Sequence, residues 1–256
     1  FALENGGDYV ATGHYASLDK SDERTKLLRS NSAKDQSYFL CMLSEFQLAH
    51  AMFPIDGMEK SAIRALAEKF SLPVAQKKDS QEVCFIPDND YSSFIRSHGF
   101  KDMGEGDFLD TQGNVIGRHK GIMNYTVGQR KGLGLSGGPW FVIKKDIQEN
   151  IIYVSRGYGV KTQYGNELRI NDFHFITDNP WQSAGKEIDI TFKIRHTPEF
   201  TKGKLVQEGE RQFRILSSEN LQGIAPGQFG VLYDKDAEIC VGSGEISPAD
   251  NVSTAI

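Results

Sequence analysis

The sequence predicts an α/β segment followed by two β-rich segments, and three observations carry that reading. A short apolar run, Asp8 to Thr12, leads straight into Gly13-His14, as a strand of an open α/β sheet does at the end where ligands bind. Ile63, Leu66, Ala67 and Phe70 stand at offsets 0, 3, 4 and 7, one apolar face of an amphipathic helix. Beyond Gly99 that spacing gives way to short runs separated by turn residues, the pattern of hairpins and small barrels.

Bulk properties bound the answer. A length of 256 residues admits two or three compact units. Hydrophobic content of 39% and charged content of 25% are those of an ordinary folded protein. No run approaches the roughly 20 apolar residues of a membrane span and no signal peptide opens the chain, so no membrane partner is expected. Three cysteines without metal-ligand spacing point to a reducing, cytoplasmic setting and to no metal site. The net charge of −5 runs against a nucleic-acid binder, yet Lys77-Lys78, Arg130-Lys131 and Lys144-Lys145 are candidate local basic patches.

Residues 1–86 read as the second half of a parallel α/β unit. Asp8 to Thr12 is expected to be a buried strand whose terminal Gly13 would let a nucleotide approach the backbone, with the polar ring of His14 at the rim, although a lone Gly-His pair by itself favours an ordinary turn. Asp35 is a candidate N-cap for a helix starting near Gln36, whose free N–H groups could hold a phosphate. Cys41 lies inside that helix and reads as core. Ser44-Glu45-Phe46-Gln47 has the form of a capping box for the next helix, closed by Phe53-Pro54. The amphipathic helix follows from Glu59 to Phe70, and Leu72-Pro73 ends it.

Residues 87–160 read as a small, mostly β central unit. Tyr91 to His98 is an expected short helix, Gln112-Gly113-Asn114 a turn, and Trp140–Ile143 with Ile151–Val154 a hairpin. Between them Gly128 to Gly134 forms a glycine-rich basic loop without the Gly-Lys-Ser/Thr ending of an NTP site, either a contact for an RNA backbone or a purely structural loop. Residues 161–256 read as a β-barrel. Ile188, Ile190, Phe192 and Ile194 alternate with Glu187, Asp189, Thr191, Lys193 and Arg195, a half-buried strand with Arg195 outward at its end. Phe229–Tyr233 and Ile239–Val241 flank Asp234-Lys235-Asp236 as a hairpin, with Cys240 in the core.

The run from Lys77 to Ile86 sets one thiol, Cys84, between cations and an apolar stretch. Nearby lysines lower a thiol's pKa and favour the nucleophilic thiolate. Spacing alone favours a small buried hydrophobe beside Val83 and Phe85, which is what most free cysteines are.

Motifs in a fixed order decide between these readings. ATGHYA (Ala11 to Ala16), KDQSYFL (Lys34 to Leu40), DSQEVCFI (Asp79 to Ile86), TVGQRKGLG (Thr126 to Gly134) and PGQ (Pro226 to Gln228) span nearly the whole chain. In that order they resemble the tRNA-specific 2-thiouridylases. The resemblance implies the C-terminal half of a parallel α/β ATP-pyrophosphatase domain (adenine nucleotide alpha-hydrolase-like), a central domain and a C-terminal β-barrel. It implies that ATP, with Mg²⁺, adenylates the C2 oxygen of a wobble uridine, and that sulfur from a cysteine persulfide displaces AMP. Carried over by motif, Cys84 is the persulfide carrier and Gly13 touches ATP. His14, Lys34, Asp35, Gln36, Arg195, His196 and Gln228 face tRNA, although His196 stands where the family has tyrosine. Asp79 is assigned a part in orienting the cysteine loop. The implied partners are tRNA and an upstream sulfur donor, a cysteine desulfurase or a sulfur-relay protein.

The family's Ser-Gly-Gly-x-Asp-Ser loop and the Cys-Asn segment bearing a partner cysteine, which can form a disulfide with the first, do not occur in these residues. On that ground the chain is expected to be a fragment without thiolation activity alone. A non-catalytic RNA-binding module is the alternative reading, and an ATP-pyrophosphatase relative with a non-RNA substrate a third.

Overall fold

The computed structural model describes residues 1–32, 34–73, 75–76, 86, 93–94, 97–98, 103–157, 164–182 and 187–247. Two compact units emerge, one of residues 1–77, 166–220 and 226–256, the other of residues 78–165 with 221–225.

In the first unit, β1 (Val10–Ala11) ends before Gly13, and a hairpin follows, β2 (Ala16–Asp19) and β3 (Lys26–Arg29). A 3₁₀ turn, Ser37–Leu40, precedes helix α1 (Glu45–Ala49). The expected capping box is present: Ser44 Oγ accepts from the Gln47 backbone while the Gln47 side chain accepts from Ser44. Helix α1 stops at His50 rather than at Phe53, because Ala51–Met52 (β4) pairs in parallel with β1. The strand expected at Asp8–Thr12 is therefore real but only two residues long, and both are exposed, since β4 is its sole sheet neighbour among the described residues. Helix α2 (Lys60–Lys69) has the expected amphipathic spacing yet buries no side chain.

The rest of this unit is β: β9 (Tyr164–Phe175), β10 (Ile188–Lys193), β11 (Thr201–Gln207), β12 (Phe213–Gln222), β13 (Phe229–Tyr233) and β14 (Ile239–Ser247). Sheet order β13-β10-β11-β12-β9-β14 closes on itself through β13–β14, giving the expected barrel with six strands. Closure leaves these six strands without open edges. One edge of β14 pairs with β3 at Ile239–Cys240 and with β9 from Gly242 onward. A bulge in the β13–β14 register stands at this changeover, between the Leu232↔Gly242 and Tyr233↔Cys240 pairs. Gly242 has φ +156°, and a Cβ there would lie 2.0 Å from the His174 carbonyl oxygen. Through β3 the amino-terminal hairpin extends the barrel's own sheet. Ala16, Leu27, Leu40, Cys41 and Leu48 share one core with Ile176, Val231, Tyr233 and Cys240.

The second unit holds a four-stranded sheet, built from β5 (Gly106–Leu109), β6 (Val115–His119), β7 (Trp140–Asp146) and β8 (Ile151–Arg156) in the order β6-β5-β8-β7. Both predicted turns are present. Asp110 closes the first by accepting the N–H groups of Gln112 and Asn114 at 2.9 Å. Phe108, Ile122, Tyr125, Leu133, Val142, Ile152 and Val154 form its core. The Tyr91–His98 helix falls largely outside the described residues.

Candidate nucleic-acid interface

Strand β3 ends at Arg29, and the chain turns over residues 30–36 into the 3₁₀ turn. Asp35 organises that turn. Its Oδ1 accepts the N–H groups of Ser30 at 3.0 Å and Ser37 at 3.2 Å, and its Oδ2 accepts the Ser37 hydroxyl at 2.9 Å. Ser37 in turn meets the Tyr233 hydroxyl inside the barrel at 2.9 Å. The expected cap is thus present in altered form: Asp35 secures a 3₁₀ turn, Gln36 occupies the N-cap position, and no α-helix starts there. Four residues are too few to supply the dipole that would hold a phosphate. Leu40 and Cys41, at the end of the turn, enter the shared core.

The end of β10 meets this turn. Alternation predicts Thr191 and Lys193 on a solvated face, but both are 3% exposed. Thr191 Oγ1 donates to the Asp234 carbonyl at 2.9 Å. Lys193 Nζ donates to the Thr197 carbonyl at 2.8 Å, lies 3.7 Å from Asp35 Oδ2 and sits 3.8 Å from the Phe200 ring centroid. Burial lowers the Lys193 pKa and Asp35 acts against that shift. Two residues on, Arg195 is exposed. His196 donates from Nε2 to the Asp35 carbonyl at 3.0 Å, and its ring stacks on Phe39 with centroids 4.7 Å apart and planes at 27°.

The other expected contacts gather at the same turn. Gln36 holds Tyr15 twice, donating its N–H to the Tyr15 carbonyl at 2.7 Å and accepting the Tyr15 N–H at Oε1 at 3.1 Å. This fixes the adjacent His14, whose Nδ1 lies 2.9 Å from Thr12 Oγ1. Gly13 is exposed at the end of β1; a Cβ there would meet only Ile55, at 3.9 Å, so a ligand could reach the backbone. Gln228 accepts the Ile246 N–H at 2.7 Å, and its neighbour Phe229 accepts the Tyr38 hydroxyl at 3.2 Å. Tyr38 stands edge-on to His196 at 6.4 Å. Lys34 is exposed and lies beside Lys60, whose pKa is lowered first by desolvation, then by Lys34 and Arg64.

Cys84 lies outside the described residues, as do Lys77, Lys78 and Asp79. Cys41 and Cys240 are free and buried, and burial pushes both thiols up, which leaves them poor nucleophiles and in the core as expected. No disulfide is present among the described residues. In the second unit Gln129 braces the glycine-rich loop, accepting the Thr126 N–H and donating to the Lys131 carbonyl, each at 3.0 Å. Arg130 and Lys131 are exposed on it. Among the described residues no helix is long and apolar enough to cross a membrane, and no cluster of side chains could hold a metal ion.

Comparison with known proteins matches this architecture segment by segment. Residues 1–88 match the tRNA methyl transferase HUP domain, residues 92–156 the tRNA methyl transferase PRC-barrel domain, and residues 165–246 the aminomethyltransferase beta-barrel domain. The chain is 60% identical over 242 residues to tRNA-specific 2-thiouridylase MnmA 1 of Bacteroides thetaiotaomicron, covering 94% of this chain and 68% of that protein. The chain belongs to the tRNA-specific 2-thiouridylase family. Further members include MnmA 2 of Bacteroides fragilis, 51% identical over 93% of this chain and 67% of its own length, and MnmA of Listeria monocytogenes, 40% identical over 94% and 64%. The chain spans about two thirds of the length of these relatives. Membership indicates tRNA 2-thiouridylation, a transferase reaction with tRNA as substrate, and the HUP domain is consistent with ATP use.

Three side chains at this site carry no signal that singles them out in sequence: Arg29, Phe39 and Lys193. Lys193 occupies a polar position of an alternating strand, where a solvated lysine is the default reading. Only the turn folded over that face buries it.

Proposed function

We propose that this chain supplies the tRNA-holding surface and the sulfur-carrying cysteine of a wobble-uridine 2-thiouridylase. The observation that supports it is convergence: Asp35 meets His196, Gln36 meets Tyr15 next to His14, and Tyr38 meets both His196 and Phe229 next to Gln228, so segments far apart in sequence are joined within one unit. Exposed Lys34 and Arg195 beside an aromatic pair suit RNA, which proteins recognise through phosphate charge and unstacked bases. In the reaction, the C2 oxygen of the uridine attacks the α-phosphorus of ATP, pyrophosphate leaves and the base is adenylated, with the nucleotide approaching the backbone at Gly13. The terminal sulfur of a Cys84 persulfide attacks C2 and AMP leaves with the former C2 oxygen. A second cysteine attacks the Cys84 sulfur, forming a disulfide and releasing the sulfur to the base, so atoms and electrons balance. Buried Cys41 and Cys240 are unsuited to that second role. A thiol reductant first reopens that disulfide, and a cysteine desulfurase or sulfur-relay protein then passes a sulfane sulfur to the free Cys84 thiolate.

The test is Cys84→Ser in the complete gene, in a strain without its native copy, with 2-thiouridine in total tRNA measured by mass spectrometry. Loss of 2-thiouridine at normal protein level is the expected result, and unchanged thiolation removes the sulfur-carrier role. Alkylation rates separate the alternative of a non-catalytic RNA-binding module: Cys84 should react faster than Cys41 and Cys240, and equal protection of all three favours the module.

A further inference from the structure

Between the turn that leaves β3 and the turn that leaves β10 lies a cleft of about 300 Å³. Arg29, Ser32, Asp35, Lys193, His196 and Phe200 line it. Its volume is at the small end for ligand pockets, enough for one nucleotide and too little for two stacked ones. Its charge is biased towards anions. Asp35 is occupied by Ser30, Ser37 and Lys193, so its carboxylate is neutralised in place. Arg29 is exposed and makes no ion pair among the described residues; its guanidinium rests 5.6 Å from the Phe200 ring centroid. Among the charged side chains that line the cleft, Arg29 and Lys193 outnumber Asp35, with Glu199 also near enough to act on Lys193. The Arg29 head therefore supplies the anion-attracting charge, in a concave, partly desolvated setting where an anion is held more strongly than on an open surface.

The edge of the cleft is aromatic. His196 lines the cleft and also stacks on Phe39, and Phe39 is 57% exposed. Tyr38 packs edge-on against both rings, at 5.6 Å from Phe39 and 6.4 Å from His196, yet much of the Phe39 ring stays open to solvent, and a base laid on it gains stacking energy irrespective of sequence. The pair is held rigid from behind, because His196 is bonded to the Asp35 carbonyl.

We propose that this cleft and the Phe39–His196 pair together receive one unstacked ribonucleotide of the bound RNA, its phosphate at Arg29 and its base against the rings. The proposal rests on the reading of this surface as a tRNA interface and adds to it a single-nucleotide pocket. Lys193 and Asp35 act as positioning residues that fix both halves of the pocket to one another.

The experiment measures binding of an unmodified tRNA transcript to the full chain across a salt series, for wild type, Arg29→Gln, Phe39→Ala and, as a charge-loss control, the ion-paired Lys204→Gln. Uridine 5′-monophosphate, uridine and inorganic phosphate serve as small probes by NMR. Loss of one phosphate contact should lower the slope of log affinity against log salt by about 1 in Arg29→Gln. Phe39→Ala should weaken tRNA roughly tenfold without altering the slope, as removal of one base–aromatic stack does. Both side chains are exposed, so both variants should keep the wild-type melting curve, and Lys204→Gln should leave tRNA binding near wild type. Uridine 5′-monophosphate should shift resonances of the cleft more than uridine or phosphate alone.

Curves for Arg29→Gln and Phe39→Ala that superimpose on wild type would overturn the pocket while leaving the interface standing. Absence of tRNA binding by the wild-type chain would overturn both. Equal response to inorganic phosphate and to the nucleotide, with no effect of Phe39→Ala on tRNA, would reduce the cleft to a free-anion site and refute the nucleotide assignment.

Discussion

Replacing Asp35 by alanine tests the physical basis of this interface directly. The substitution takes the nearest carboxylate from Lys193, whose side chain is only 1% exposed, leaving it the Thr197 carbonyl, the Phe200 ring and the weaker pull of Glu199. It also removes the acceptor for the Ser30 and Ser37 N–H groups and the Ser37 hydroxyl. Truncating one member of a buried ion pair costs about 3–5 kcal/mol, because the other charge stays buried without compensation. Against the roughly 5–15 kcal/mol of a typical domain, that leaves the first unit marginal. Lys193→Met should cost less, about 1–3 kcal/mol, since Asp35 keeps three donors. The double variant should be more stable than the sum of the singles predicts, because no isolated charge remains.

Urea denaturation in a Trp140→Phe background, followed by Trp181 fluorescence, isolates the first unit. A loss below about 1 kcal/mol in Asp35→Ala, or strict additivity in the double variant, would show that the pair is screened by solvent and that the network does not fix the turn.

Three further outcomes follow from the geometry. His119 is fully buried, with Nδ1 accepting the Gly121 N–H at 3.2 Å and Nε2 donating to the Asn150 carbonyl at 3.0 Å, so only the neutral ring fits, and burial lowers its pKa below 6.5. The unfolded chain therefore takes up the proton first, and the second unit's stability is full above pH 6.5 and declines as pH falls below it. A urea midpoint reported by Trp140 in a Trp181→Phe background that stays flat down to about pH 5.5 would contradict this. Burial, with a smaller effect of Cys41, pushes Tyr38 up to about 12. Its contribution to stability is thus present below pH 10 and lost as pH rises towards 12. Tyrosinate absorbance should show late-titrating groups, one of which disappears in Tyr38→Phe; one step near the ordinary value for all nine tyrosines would refute it. Gly242→Ala would drive a Cβ to 2.0 Å from the His174 carbonyl and should cost more than about 3 kcal/mol or abolish folding. Gly113→Ala, at φ +86° with nothing within 4 Å, should cost only about 1 kcal/mol in the same thermal melts.

Much of the architecture was legible in advance, for reasons tied to particular residues. The capping box at Ser44, the Asp110–Asn114 turn and the Asp234 hairpin depend on side chains bonding to their own neighbouring backbone, so local sequence contains both partners. The alternation in β10 and the core positions of Cys41 and Cys240 follow from apolar periodicity. What went wrong at β1 and at Thr191 and Lys193 concerns burial: alternation assigns faces, but what covers each face comes from elsewhere in the chain. The β2–β3 hairpin gave no strong strand signal, and its place on the barrel depends on pairing with β14, about 200 residues later.

By itself, the sequence determined the family, the order of its three segments and the residues expected to meet ATP, sulfur and tRNA, because those are carried by motifs whose chemistry is local. Tertiary structure alone decided that residues 1–77 and the barrel form one unit, that Asp35 and Lys193 are a buried pair, and that Arg29 and His196 line one cleft with Phe39 stacked on His196. The physical reason is that burial and charge pairing are set by what lies opposite in space, and Asp35 and Lys193, 3.7 Å apart, are separated by more than half of the chain.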